Sequence, residues 1–218
     1  MDAPNNVEMA RILIDSGAPL DEPFVAAASI NNVPVAELLI ERGAALDGNG
    51  GWSPIEEALY WNSGNTLARL LERGARVRNL RTAAGLGCAD LIAELFDRDD
   101  ELKPEAGRID WPFGSLDAIE RSNLDRPVTR ELADRVRAWS QDRQGILDNA
   151  FVYARMHGHV DAAGLLLEKG AEINAIPGGF DFAGTGSHYP AMNGHRANGR
   201  APSVPRRGRD RERCENRF

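Results

Sequence analysis

Four times in this chain a run rich in Leu or Ile is followed by Gly-Ala: Gly17-Ala18, Gly43-Ala44, Gly74-Ala75 and Gly170-Ala171. A glycine there supplies the left-handed backbone conformation on which helices commonly end. Glu41-Arg42, Glu72-Arg73 and Glu168-Lys169 precede three of these glycines and set a cation against the negative end of the helix dipole. A chain that repeats one helix ending is expected to stack copies of a small unit, because a single copy cannot bury its own apolar face.

The first two units superimpose with a shift of 26 residues, Gly17 onto Gly43. Asn5-Asn6-Val7 then falls on Asn31-Asn32-Val33, read as a turn, and Ile14, Leu20 and Asp21 fall on Ile40, Leu46 and Asp47. Phe24 to Ala28 reads as a short first helix with small residues on its packing face, and Ala36, Leu39 and Ile40 as the apolar stripe of a second. In the third unit Ser53 is expected to cap a helix and Pro54 to occupy its first turn, where no backbone N–H is needed. A fourth unit runs from Thr82 through Leu91-Ile92 and Leu95-Phe96 without a closing Gly-Ala; a fifth spans about Asn149 to Asn174, and a sixth opens at Gly184.

These residues resemble the ankyrin repeat family in a degenerate, bacterial-type form. Ser53-Pro54-Ile55 and Gly184-Thr185 with His188 stand for the family's Thr-Pro-Leu-His opening, Gly158-His159 and Gly194-His195 for its turn, and Gly170-Ala-Glu-Ile-Asn174 for its close. The 26-residue spacing is too short for a full hairpin finger, and Pro190 stands where the first helix of unit six should have Ala. The resemblance implies an all-α, ankyrin-type helical solenoid of about five to six repeats with one insertion. Residues 1–97 would hold units one to four, the first without its first helix; 98–146 an insertion with one amphipathic helix; and 147–197 units five and six, the last incomplete.

The insertion follows from counting, since 71 residues separate Gly87 from Gly158 where one unit of roughly 33 is due. It carries a predicted helix over 127–139, and Trp111, Phe113 and Trp139 are read as a clamp onto the stack, or else as an aromatic contact site. At the far end Asn198 to Phe218 carries seven Arg against three acids, and the Leu run due 36 residues after Leu165 is missing. Pro202 and Pro205 preclude a helix there. Reading from the second base of the Asn198 codon permits the missing Leu run and then a Gly-Ala close, so 198–218 is read as a frameshift remnant expected to be disordered. A true basic tail that binds anions is the other reading.

Without that tail the chain is acidic, which argues against nucleic acid as the main partner. Cys88 and Cys214 lie far apart in unlike contexts and are expected to remain separate thiols in a reducing, cytoplasmic setting. No apolar run long enough to span a membrane is present, so no membrane partner is expected. Of the four histidines, His159, His188 and His195 fall on family positions, and His157 lies two residues from His159, closer than a zinc pair requires. Gly48 to Gly51 lacks the Lys-Ser or Lys-Thr of a phosphate loop, and Ser122 and Ser187 lack a nucleophile motif. No catalytic residue, metal or cofactor is assigned, and the chain is expected not to be an enzyme.

The expected function is a monomeric, non-catalytic protein–protein interaction scaffold whose concave face of first helices and fingertips contacts an unknown protein partner. Trp52, Tyr60, Trp61, Phe151, Tyr153, Phe180 and Tyr189 are its candidate contact residues, because binding energy concentrates in a few aromatic side chains. The alternatives are a regulatory or substrate-recruiting fragment of a longer enzyme, or a nonfunctional remnant of a longer repeat protein.

Overall fold

The computed structural model describes residues 3–48, 53–108, 138 and 140–176, which divide after Arg76 into two compact units. The described part of the first contains α1 (Ala3–Asp15), α2 (Asp21–Ser29), α3 (Val33–Glu41), α4 (Pro54–Tyr60) and α5 (Gly64–Glu72). That of the second contains α6 (Leu80–Gly85), α7 (Ala89–Glu94), a 3-10 turn (Pro104–Gly107), α8 (Arg143–Met156) and α9 (Val160–Glu168). The fold is all-α; among the described residues the one piece of β pairing is an isolated bridge between Phe96 and Leu102.

Most of these helices end in one way. Gly17, Gly43, Gly74 and Gly170 all have positive φ, from 88° to 100°. The Gly43 N–H donates to the Ile40 carbonyl at 3.0 Å and the Ala44 N–H to the Leu39 carbonyl at 2.9 Å. Ala75 to Leu70 and Ala171 to Leu166 repeat the second bond at 2.9 Å. Carbonyls that a helix end leaves without partners are thereby satisfied. The alanines at 44, 75 and 171 are buried, as are the leucines they bond, which is why a small apolar residue follows the glycine.

The helices that open each pair close identically, with Asn31 (φ 58°), Asn62 (φ 55°), Gly87 (φ 72°) and Gly158 (φ 74°) in the glycine role. The N–H groups of Asn32, Ser63, Cys88 and His159 then reach back to the carbonyls of Ala27, Ala58, Ala83 and Ala154 at 2.7–2.9 Å. Asn tolerates the left-handed region better than other side-chain-bearing residues, so Asn-Asn, Asn-Ser, Gly-Cys and Gly-His are four spellings of one turn.

Stacking in the first unit puts first helix on first helix and second on second: α2 packs on α4, and α3 on α1 and α5. Two side-chain-to-backbone seams hold successive pairs together. Asp21 accepts the Ala45 N–H at 2.9 Å and Asp47 the Arg76 N–H at 2.8 Å, the same bond at positions the 26-residue shift equates. On the opposite side Asn31 Oδ1 accepts the N–H groups of Asn65 (3.1 Å) and Thr66 (3.0 Å) at the start of α5, and the Ser63 hydroxyl donates to the Ser29 carbonyl at 2.6 Å. The cations beside the closing glycines also bridge pairs: Arg42 binds Asp15 at 2.5 Å and Arg73 binds Glu37.

Glu37 lies between Arg69, at 2.6 Å, and Arg73. Burial pushes its carboxyl up, but hydrogen bonds from Arg73 and Arg69, with their charges, outweigh that and hold it below its ordinary value.

In the second unit α6 packs on α8 and α7 on α9, the same order. Leu80, Ile92, Leu147 and Leu166 are fully buried in a shared core. After α7 the chain turns at Asp97–Asp100 and returns along it, where Lys103 Nζ donates to the Glu94 carbonyl at 2.5 Å and Ala106 is buried. Lys169 pairs with Asp100.

Several expectations need correction. Asn5 and Asn6 lie inside α1, not in a turn. Leu38 is buried in α3 where Ile40 was expected, and Ser53 sits at the start of α4 without capping it through its side chain. α8 begins at Arg143, inside the stretch assigned to the insertion, with Asp142 accepting the Gly145 N–H at 2.8 Å. Cys88 is buried and disulfide-bonded rather than a separate thiol; Cys214 lies outside the described residues, as do residues 184–197, 198–218 and nearly all of 127–139.

Candidate functional site

The α2 helix buries Phe24, Val25, Ala27 and Ala28 and leaves Glu22, Ala26 and Ile30 exposed, four residues apart on one face. Opposite lies α4, whose residues are all buried. It stops where the Trp61 N–H donates to the Glu57 carbonyl at 3.0 Å. This stop separates two neighbouring aromatics: Tyr60 is 9% exposed and Trp61 56%. Their rings meet edge to face, with centroids 5.2 Å apart and planes at 88°, so the buried tyrosine supports the exposed indole.

Between the two helices is an open groove of about 580 Å3, lined among the described residues by Glu22, Val25, Ala26 and Ser29 of α2, then Ile30, Glu57 and Trp61. Ala26 and Ser29 give it depth, since larger side chains there would fill it. Ser29 is occupied locally, its hydroxyl donating to the Ala26 carbonyl at 2.8 Å. Ile30, 72% exposed, and Trp61 are large apolar side chains left in water along this groove. Such an arrangement can bury a partner's apolar side chain beside carboxylates.

Of the four expected contact residues that are described, Trp61 is exposed on this groove, with the buried Tyr60 against its ring. Phe151 and Tyr153 are buried in α8: this helix is covered from Leu147 to Ala154, so neither ring is available as a surface contact. Trp52, Phe180 and Tyr189 lie outside the described residues, as do Trp111, Phe113, Trp139, His188 and His195. His157 and His159 flank the turn between α8 and α9, with ring centroids 6.3 Å apart. The His159 ring packs over Gly87, where a side chain would meet its Nδ1 at 2.5 Å. Among the described residues no three His, Cys, Asp or Glu side chains converge as metal ligands, and no helix is long and apolar enough to cross a membrane.

Sequence reasoning missed Glu22, Val25, Ala26, Ser29, Ile30 and Glu57 as groove residues. One signal was available: Ile30 follows a run of small residues at a helix end, where an isoleucine has no partner on its own helix. No family model matches the chain, and none of the curated proteins is detectably similar to it.

Proposed function

We propose that this chain is an ankyrin-like repeat scaffold that binds another protein without catalysis, through the groove between its first helices α2 and α4. Supporting the ankyrin reading are the helix pairs closed by Gly-Ala or Asn-Asn turns, stacked first on first and second on second, with a ladder of aspartates binding the next copy's backbone. Carrying the binding reading is the exposure of Trp61 and Ile30 along an open groove, while Tyr60 fixes the indole from below. Aromatic residues anchored this way supply contact area at low entropic cost.

The test is selection of an unbiased displayed-peptide library on the full chain, followed by affinity measurements on Trp61→Ser and Tyr60→Ala. Trp61→Ser should weaken selected ligands by about tenfold or more with unchanged helical circular dichroism. Tyr60→Ala should instead lower stability by about 3 kcal/mol. Selected ligands that bind Trp61→Ser as tightly as the native chain, or a selection that enriches nothing, would overturn the proposal.

A further inference from the structure

We infer that α1 docks a helix of another protein on its outer face, and that this helix carries a bulky apolar residue three positions before an alanine. The site is separate from the α2–α4 groove and does not depend on it.

The bonds that close the helices put the pairs in one frame. The Ala18 N–H donates to the Leu13 carbonyl at 3.0 Å, as Ala44 does to Leu39, Ala75 to Leu70 and Ala171 to Leu166 at 2.9 Å. These four leucines are one position of the repeat, which makes α1 a second helix like α3, α5 and α9. Leu39, Leu70 and Leu166 are fully buried, whereas Leu13 is 52% exposed. Four residues earlier the contrast recurs: Thr66 and Ala162 are buried, Val35 is half-buried and Met9 is exposed. Ile12, also exposed, lies on the same side of α1, because residues three and four apart share a helix face. In the first unit α1 packs on α3 and α3 on α5. The α1 patch therefore continues, by one place, the row of side chains that the stack buries.

What covers this position in the other pairs defines what fits it here. The first helix of each pair packs on the second: α2 on α3, α4 on α5, α6 on α7 and α8 on α9. Their closing turns all return to the carbonyl of an alanine, Ala27, Ala58, Ala83 or Ala154. Three residues before each alanine stands a bulky apolar residue, Phe24, Ile55, Leu80 or Phe151. All of these side chains are buried. The bulky residue supplies apolar area, and the alanine lets two helices approach closely, where a larger side chain would overpack the contact. Each of these four helices is committed to its own pair, so the helix that α1 takes comes from another protein.

A labelled peptide copying residues 20–32, which hold Phe24 and Ala27, tests this by fluorescence polarisation on the full chain. It should bind, and Ser at Phe24 or Leu at Ala27 of the peptide should weaken it by about tenfold. Met9→Ser and Leu13→Ser in the chain, both at exposed positions, should do the same while helical circular dichroism holds. Trp61→Ser should leave peptide binding unchanged. No binding, or equal binding of the altered peptides, would overturn the inference. So would binding that survives Leu13→Ser, since the peptide would then be displacing the chain's own α2. Binding lost in Trp61→Ser would put the peptide in the groove instead and overturn it. Self-association of the free chain that Leu13→Ser abolishes would make a second copy the occupant, which overturns it too. Library ligands that depend on Trp61 bear on the groove alone, so either reading can fail without the other.

Discussion

Asn31 and Asn62 occupy the same place in successive helix pairs, both left-handed at φ 58° and 55°, yet replacement by glycine should destabilise the chain at Asn31 and not at Asn62. Glycine accepts this backbone conformation without the strain a side chain brings, at the cost of a more flexible unfolded chain. For Asn62, whose side chain makes no hydrogen bond within the described residues, the two terms nearly cancel, and Asn62→Gly should be neutral to about 0.5 kcal/mol stabilising. Asn31 has a second role. Its Oδ1 caps α5 from the preceding pair, holding the N–H groups of Asn65 and Thr66 and lying 3.4 Å from the Thr66 hydroxyl. Ser63, at the position where a cap would normally come from, makes no capping bond. Losing a cap costs about 1 kcal/mol, and Thr66 is buried, so its N–H gains little from water in exchange. Asn31→Gly should thus destabilise by about 1–2 kcal/mol, a fall in Tm of about 2–8 °C for a chain of this size. Urea denaturation followed at 222 nm measures both variants. If they shift stability in the same direction, or differ by less than about 0.5 kcal/mol, the seam between these helix pairs contributes nothing and the stacking argument fails.

Acid should weaken the first unit through Glu37. Because its carboxyl titrates below the ordinary value in the folded state, its contribution is present above the unfolded pKa and is lost as pH falls through the folded one. Glu37→Gln should therefore be less stable than the native chain at about pH 7, with the gap closing toward about pH 2–3; a gap independent of pH would refute this. Gly43→Ala meets no atom within 4 Å and should cost only the left-handed backbone, about 1 kcal/mol. Gly87→Ala also drives a methyl into His159 and should cost measurably more in the same denaturation assay; equal costs would show that the ring moves aside freely.

The helix endings were legible in the sequence because glycine at positive φ leaves an unmistakable mark, and every Gly-Ala read as a terminus is one. Asn31 and Asn62 were not recognised as counterparts of Gly158, because asparagine reaches the same conformation without that mark. The contact residues were harder for a different reason. Leu147 to Ala154 is buried without a break, Asp148 and Asn149 included, so α8 has no polar face from which to judge whether Phe151 and Tyr153 point outward. Tyr60 and Trp61 are adjacent and chemically alike, and only the position of the last residue of α4 decides which one water reaches. The groove itself belongs to two helices brought together by stacking, and no local pattern encodes such a neighbour.

The α1 helix leaves Met9, Ile12 and Leu13 more than half exposed on one side, and it meets α3 rather than α2 or α4 in its main packing. In a stack where each pair leans on its neighbours, cooperativity decays toward an uncovered edge. Fraying should begin there, and amide protection should rise from α1 toward α5. The groove lies inward of that edge, so the first turns of the chain can open and close without taking the recognition surface with them.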